Sequence, residues 1–427
     1  MNVYLDTIGC RLNQSEIEKM ASQFRMAGHT LVDSPAGADL VVVNTCAVTA
    51  EAASDSRQKI RQAFRSGVTQ IVATGCWATL DPQAAASLAG VSAVVSNEHK
   101  PTLVADILKL PPEEFDQEPI SRQPLPGNRA RTRAFIKVQD GCDNHCTFCI
   151  TRIARGNSRS QAVPTILQDI RAALAGGVKE VVLTGVHLGS WGHDFDPPSS
   201  LRFLVEAVLG QLDVPRLRLS SLEPWDLDES FFELWQDPRL CRHLHLPLQS
   251  GAGAGLRRMA RKTTPDSFAR LLEMARAVSP QMAVTTDVIV GFPGETDEEF
   301  AESLAFVKAM NFAGGHVFTF SPRPGTAAAR FAAQVPKAVR KERSAIMRAA
   351  LAQAAGQYSR RFAGETLGVL WESIDSLGQQ GWCMHGLTDN YLRVTALAPR
   401  PLWNEFSQVK LNGNASAEGV MGVILPE

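Results

Sequence analysis

The stretch Gly141-Cys142-Asp143-Asn144-His145-Cys146-Thr147-Phe148-Cys149-Ile150 constrains this chain more than any other. Its cysteines follow C-x3-C-x2-C spacing directly after an apolar run at 134–138 that reads as a short strand. A loop leaving a strand end can wrap three thiolates around one inorganic cluster, and cubane iron–sulfur clusters are held by cysteine thiolates, normally four. Three protein ligands leave one iron open, as a catalytic metal keeps an open position where a structural one is closed. An open iron can bind a small molecule and deliver an electron to it. Structural zinc is the competing reading, but it wants four ligands in paired knuckles. No second knuckle follows, and His145 adjoins Cys146, an arrangement in which side chains rarely converge on one ion.

A chain of 427 residues predicts two or three domains. No run approaches the ~18 apolar residues of a membrane span. The N-terminus starts a strand at once, without the basic and apolar regions of a signal peptide, so a cytoplasmic location is expected and no membrane partner. Eight cysteines in such a chain suggest metal or redox chemistry rather than disulfides. Net charge is −1, which does not announce a nucleic-acid binder. Its distribution says more. Residues 121–137 carry Arg122, Arg129, Arg131, Arg133 and Lys137 without an acid, and 336–361 carry seven basic residues against Glu342 alone. Such faces suit a phosphate backbone; a linker and a solvated helix face would show the same composition.

Residues 1–110 alternate apolar runs (3–8, 40–43, 71–74, 93–95) with helical patterns (13–27, 50–66, 82–89). This predicts an α/β domain with an open parallel, Rossmann-like sheet, whose ligands bind outside the carboxyl ends of the strands. Cys10, Cys46 and Cys76 fall at three of those ends. A free cysteine is often just a small buried hydrophobe, but three at equivalent positions would converge in one crevice, and a second three-cysteine cluster is inferred. Residues 111–132 hold five prolines without periodicity and read as a linker.

Residues 133–362 alternate again. After the cluster loop come strands at 180–184, 216–220, 243–246, 283–290 and 316–320, separated by helices near 163–175, 199–210, 228–237, 265–278 and 296–310. With the strand at 134–138 they make a (β/α)6 partial TIM barrel, whose chemistry sits on the loops after the strands. Those loops carry Thr184, Gly185 and His187, then Ser220 and Glu223, Gln249, and Gly291 with Phe292. Glycine lets backbone approach a ligand, and Glu and Gln can hydrogen-bond a ribose or an ammonium. Ordinary turn chemistry would explain any one loop; four at one mouth favour a cofactor cavity. A long basic helix spans 337–362. Residues 363–427 then hold about five short β-like runs, which suggest a small antiparallel β-barrel.

Taken together, the chain resembles the radical-SAM methylthiotransferases over all three regions. The loop Cys142/Cys146/Cys149 is similar to the signature of the radical S-adenosylmethionine (SAM) superfamily, and Cys10/Cys46/Cys76 to the family's N-terminal triplet. The C-terminal barrel looks like a TRAM module. Two branches of the family modify adenosine 37 of tRNA, carrying an isopentenyl or a threonylcarbamoyl group, and a third modifies an aspartate of a ribosomal protein. The motifs Gly9-Cys10-Arg11-Leu12-Asn13, Asn44-Thr45-Cys46 and Thr388-Asp389-Asn390-Tyr391 are similar to the threonylcarbamoyl branch.

The resemblance implies two [4Fe-4S] clusters and SAM. The cluster on Cys142, Cys146 and Cys149 would chelate SAM, with Phe148 packed near it, and cleave it to a radical that takes the C2 hydrogen of the modified adenine. The cluster on Cys10, Cys46 and Cys76 would hold the sulfur to be delivered. The partners implied are the anticodon loop of tRNA and an electron donor such as flavodoxin or ferredoxin. The base must be splayed out to reach such a site. One departure stands out: residues 364–427 hold three basic residues against seven acids, a net −4. The linker and long helix are therefore expected to carry most of the phosphate contact.

Overall fold

A computed structural model describes residues 1–111, 115, 132–378, 381–415 and 419–426. The linker 111–132, with Arg122, Arg129 and Arg131, therefore lies almost wholly outside the described residues.

The N-terminal sheet contains β1 (Asn2–Thr7), β2 (Thr30–Leu31), β3 (Leu40–Thr45), β4 (Ile71–Gly75) and β5 (Val91–Val95), all parallel, in the order β2-β1-β3-β4-β5. β3 and β4 are buried at every residue, the pattern of strands covered on both faces. The two-residue edge strand β2 leaves no periodicity to find in the sequence. The helix Ala50–Arg65 begins where Thr49 Oγ1 accepts from Ala52 N at 3.0 Å, satisfying one of the donors a helix start leaves over.

The second region opens with β6 (Arg133–Lys137) and a two-strand clasp, β7 (Gln139–Asp140) with β8 (Arg159–Ser160), around the cluster loop. Then follow β9 (Glu180–Thr184), β10 (Arg216–Leu219), β11 (His243–His245), β12 (Ala283–Val290) and β13 (Gly314–Thr319). They form two parallel three-stranded sheets, β10-β9-β6 and β11-β12-β13, joined by bridges Leu217↔Leu240 and Ser221↔His245. Six parallel strands thus form the expected partial barrel. The clasp and the short helices Thr151–Arg155 and Gly253–Arg258 were too brief to read from sequence, and the helix expected at 228–237 is a turn of α-helix followed by a 3₁₀ turn.

The last region is a closed barrel of β14 (Thr366–Gly378), β15 (Gly381–Thr388), β16 (Arg393–Ala398), β17 (Phe406–Ala415) and β18 (Val420–Ile424), in the order β14-β15-β16-β18-β17. All its pairings are antiparallel except β16 with β18, because the chain crosses to β14's other edge before returning to close the barrel.

This barrel docks at the amino ends of the partial-barrel strands. Arg218 and Glu180, both fully buried, pair at 2.7 Å, and Arg218 donates on to the Thr388 and Asp389 carbonyls. Arg216 donates to the carbonyls of Leu387 and Gly368. Arg242 grips Asp389 with two hydrogen bonds, Arg133 pairs with Glu372, and the Tyr391 ring stacks on His243 with centroids 3.9 Å apart. The odd acidity of the module thus has a structural account: Glu372 and Asp389 face arginines of the neighbouring region, and Glu405 pairs with Arg400. The basic face of the helix Lys337–Arg360 is also divided. Arg343 is buried on Glu295 and Asp297, while Lys337, Lys341, Arg348 and Arg360 are exposed.

Candidate active site of two cysteine triplets

Parallel pairing alone aligns the first triplet. Thr7 is opposite Asn44, and Thr45 opposite Gly75, so β1, β3 and β4 deliver Cys10, Cys46 and Cys76 to one end of the sheet. Two glycines make the turns possible. Gly9 has φ +110°, and a Cβ there would lie 2.7 Å from Cys46 Sγ; Gly75 has φ +93°, and a Cβ there would lie 2.3 Å from the Thr45 carbonyl oxygen. Asn13 ties the loops together, its Nδ2 donating to the Ile8 and Thr45 carbonyls. Ser56 Oγ accepts from Cys46 N at 3.0 Å, and Asn97 Nδ2 points at Cys76 Sγ at 3.7 Å. Cys46 and Cys76 are buried and Cys10 is exposed. Burial pushes the Cys46 thiol up to about 11, so it gives up its proton only to a strong Lewis acid.

The second triplet is held by a single loop. Gly141, at φ +71°, passes so close to the Asn157 carbonyl that a Cβ would lie 1.8 Å from its oxygen. Thr147 anchors the far side, its N–H on the Met259 carbonyl and its hydroxyl on the Arg258 carbonyl. Each sulfur faces an N–H donor: Asn144 N to Cys142 and Thr151 N to Cys149, both at 3.4 Å, and Arg261 Nη1 to Cys146 at 3.7 Å. Donors to cluster sulfurs are among the means by which a protein sets a cluster's potential. His145 is exposed and turned to Arg152, away from the sulfurs.

The donor sets fit clusters better than single ions. Three thiolates on one tetrahedral zinc would sit about 3.8 Å apart. Among the described residues, neither triplet brings its sulfurs all within 4.8 Å of one another, which leaves room for a larger inorganic unit between them.

The remaining candidate residues follow the barrel strands, and His187 and, through Arg261, Glu223 reach the second triplet. Thr184 is buried at the end of β9, and a Cβ on Gly185 would lie 2.9 Å from Gln139 Oε1. His187 is held between Asp226 (2.6 Å) and Asn144 (3.2 Å). Burial opposes its charge, but hydrogen bonds to Asp226 and Cys142 prevail and raise it to about 9. Ser220 Oγ is buried without a partner among the described residues, a polar atom free for a ligand at the barrel mouth. Gln249 has φ +68° and bridges to Val288 through its backbone. Phe148 packs edge-on against Phe292, with centroids 6.3 Å apart.

Two of these residues are placed differently from expectation. Glu223 is not a free acceptor: it forms a fork with Arg261, which also covers the Trp225 ring at 4.5 Å. At Gly291 a Cβ would collide with Arg340 Cγ at 2.2 Å, so its glycine serves the packing of the long helix.

A buried polar seam joins the two triplets. Arg155, six residues after Cys149, donates to Asn13 at 2.7 Å, to Glu16 at 2.9 Å and to Asp140 at 2.9 Å. Glu16 also receives Lys100 at 2.7 Å and Lys137 at 3.2 Å. Burial alone would raise the Glu16 carboxyl; Lys100, Arg155 and Lys137 override it and hold it well below the usual range. Asn97, beside Cys76, donates to the Ala154 carbonyl at 2.7 Å. The segments that carry the two triplets are therefore tied together by buried hydrogen bonds. Arg323, on the loop after β13, keeps Nε and Nη2 buried and unpaired among the described residues, and burial holds its pKa below the usual arginine value. Arg155, Glu16, Arg261, Asp226 and Arg323 carry no sequence spacing that marks them, because hydrogen-bond partners lie up to 142 residues away. Asn13 alone could be found, as part of the Cys10 motif.

Residues 2–96 match the uncharacterized protein family UPF0004, and residues 136–307 match the radical SAM superfamily. The chain is 35% identical to the threonylcarbamoyladenosine tRNA methylthiotransferase MtaB of Bacillus subtilis, over 96% of this chain and 93% of that one. Identity to the protein of the same name from Thermotoga maritima is also 35%, over 98% and 96%. The tRNA-2-methylthio-N(6)-dimethylallyladenosine synthase of Maricaulis maris is 31% identical over 98% and 96%. Among solved structures, a radical S-adenosylmethionine methyltransferase of Kitasatospora setae, TsrM, superposes with TM-score 0.58 at 16% identity, over 77% of this chain and 75% of that one. That likeness speaks for the fold alone.

Proposed function

The chain belongs to the radical-SAM methylthiotransferases, enzymes that use [4Fe-4S] clusters and SAM, and from that premise we propose that it replaces the C2 hydrogen of N6-threonylcarbamoyladenosine at position 37 of tRNA with a methylthio group. The observation that carries the chemistry is the pair of cysteine triplets on segments tied together through Arg155. The choice of branch is supported by the 35% identity to two proteins named for threonylcarbamoyladenosine, against 31% for one named for dimethylallyladenosine.

We assign Cys142, Cys146 and Cys149 to one cluster and Cys10, Cys46 and Cys76 to the other. When bound, the first supplies the electron that cleaves SAM and the second carries the sulfur. The chain's own groups do the positioning. N–H donors at Asn144, Thr151 and Arg261 point at the three sulfurs, contacts through which a protein tunes a bound cluster. Ser220, Gln249 and the backbone at Gly185 offer polar contacts to SAM at the barrel mouth, and the Phe148–Phe292 pair walls it from water. The Glu16–Arg155–Asp140 seam fixes the separation of the triplets, so that the splayed base meets both. A flavodoxin or ferredoxin is the proposed electron donor.

Mass spectrometry of tRNA nucleosides from a deletion strain tests this. The 2-methylthio derivative of threonylcarbamoyladenosine should vanish, its precursor accumulate, and the native gene but not a Cys142/Cys146/Cys149→Ala variant restore it. Loss of the dimethylallyl derivative instead would overturn the choice of branch.

A further inference from the structure

Two of the eight cysteines stand outside both triplets. Cys241 is buried at 3.9 Å from Glu180 Oε2, and burial pushes its thiol up to about 12, so it is an inert wall residue. Cys383 has different company. It lies two residues from His385 on β15, so both side chains leave the same face. Across the strand pair, the register passes from Ile374↔Met384 to Leu377↔Trp382, so β14 carries one extra residue there, and Asp375 sits in that irregularity. Bulges of this kind re-aim side chains. The ligand atoms of Asp375, Cys383 and His385 all lie within 4.8 Å of one another, the one such set of His, Cys, Asp and Glu among the described residues.

Two distances fit a bound ion. Cys383 Sγ is 3.9 Å from His385 Nε2; a tetrahedral zinc with ordinary bond lengths would hold thiolate and imidazole about 3.6 Å apart. His385 Nδ1 lies 3.0 Å from Thr395 Oγ1, the residue opposite it on β16. Donating that N–H to Thr395 leaves the lone pair on Nε2, the nitrogen beside Cys383. Such an outer hydrogen bond is what orients a metal-ligating histidine.

We propose that Asp375, Cys383 and His385 form a zinc-class divalent cation site on the C-terminal barrel, with a water completing the coordination. Thiolate with imidazole selects zinc over magnesium or calcium. Asp375 is exposed and its two partners partly so, which gives an ion a path in. The ion would cross-link β14 to β15 and add positive charge to a module with three bases against seven acids.

The test uses full-length protein with its iron–sulfur sites filled anaerobically, equilibrated with Zn²⁺ and analysed for zinc and iron. One zinc per chain is expected beyond the iron. Cys383→Ser and Asp375→Asn should lose it while iron stays unchanged. Thr395→Val should keep all three ligands yet weaken zinc binding about 10–100-fold, an effect that a packing role would not produce. With Co²⁺ as the probe, a thiolate-to-cobalt absorption band should appear in the wild type and be missing from Cys383→Ser. Equal zinc in wild type and Cys383→Ser, or no zinc in either, would overturn the site.

Discussion

The two cysteine triplets are built in opposite ways. Cys142, Cys146 and Cys149 share one loop of eight residues, shaped by local contacts such as Cys149 N on the Cys146 carbonyl and the two backbone donors onto sulfur, with Thr147 and Arg261 tying it to the 258–261 segment. Cys10, Cys46 and Cys76 span 67 residues and meet only because β1, β3 and β4 pair in parallel with their ends level. A local site depends on its loop; a distributed one depends on the whole sheet.

The largest effect should come from breaking the local site. Replacing Cys142, Cys146 and Cys149 by Ala is expected to remove about half the iron and all SAM cleavage, measured as 5′-deoxyadenosine formed under reducing conditions. Zinc in place of iron after anaerobic reconstitution would refute both cluster assignments at once.

Breaking the distributed site needs no cysteine. Gly75→Ala forces a Cβ into the Thr45 carbonyl at a φ of +93°, and backbone strain of this kind costs about 1–3 kcal/mol before the clash is counted. It should lose the other half of the iron while SAM cleavage persists. Iron analysis beside the cleavage assay separates the two sites.

The seam between them is tested by Arg155→Met. Removing one partner of a buried ion network costs about 3–5 kcal/mol, read as a lower denaturation midpoint. Glu16→Gln added to it should cost less than the sum, because the two share one network. The seam also has a pH signature. The Glu16 carboxyl is held below its ordinary value, so its stabilisation is full above about pH 4 and fades as pH falls through the depressed value. Acid should therefore soften the wild type more than the double variant.

The smallest effect belongs to Cys241→Ala. Cys241 is buried beside Glu180, outside both triplets, so both clusters should survive with a stability loss of roughly 1 kcal/mol. Loss of iron would show that the ligand sets are wrongly drawn.

Much of this was legible in the sequence for one reason: strand ends in parallel α/β folds are marked by short-range signals. Apolar runs gave the strands, and Gly-Cys or Asn-Thr-Cys after a run gave the loop at each carboxyl end. Hence the cysteines of both triplets, the six barrel strands and the five-stranded C-terminal barrel could be read before any coordinates. Elements of two to six residues, such as β2, the β7–β8 clasp and the helix Thr151–Arg155, were missed because they are shorter than the periods that reveal them.

What the sequence determined by itself was the placement of two sets of three cysteines on loops that follow strands. What only the tertiary structure decided was their relation. Arg155 meets Glu16 across 139 residues, and Arg133 meets Glu372 across 239. Nothing in the spacing of such pairs records that they touch. Charge totals mislead for the same reason. The net −4 of the C-terminal region looked unfit for RNA, yet Glu372 and Asp389 are spent on Arg133 and Arg242 of the neighbouring region. A sum over sequence cannot distinguish a carboxylate that faces solvent from one that faces an arginine, because pairing is fixed by the packing of distant elements and not by composition.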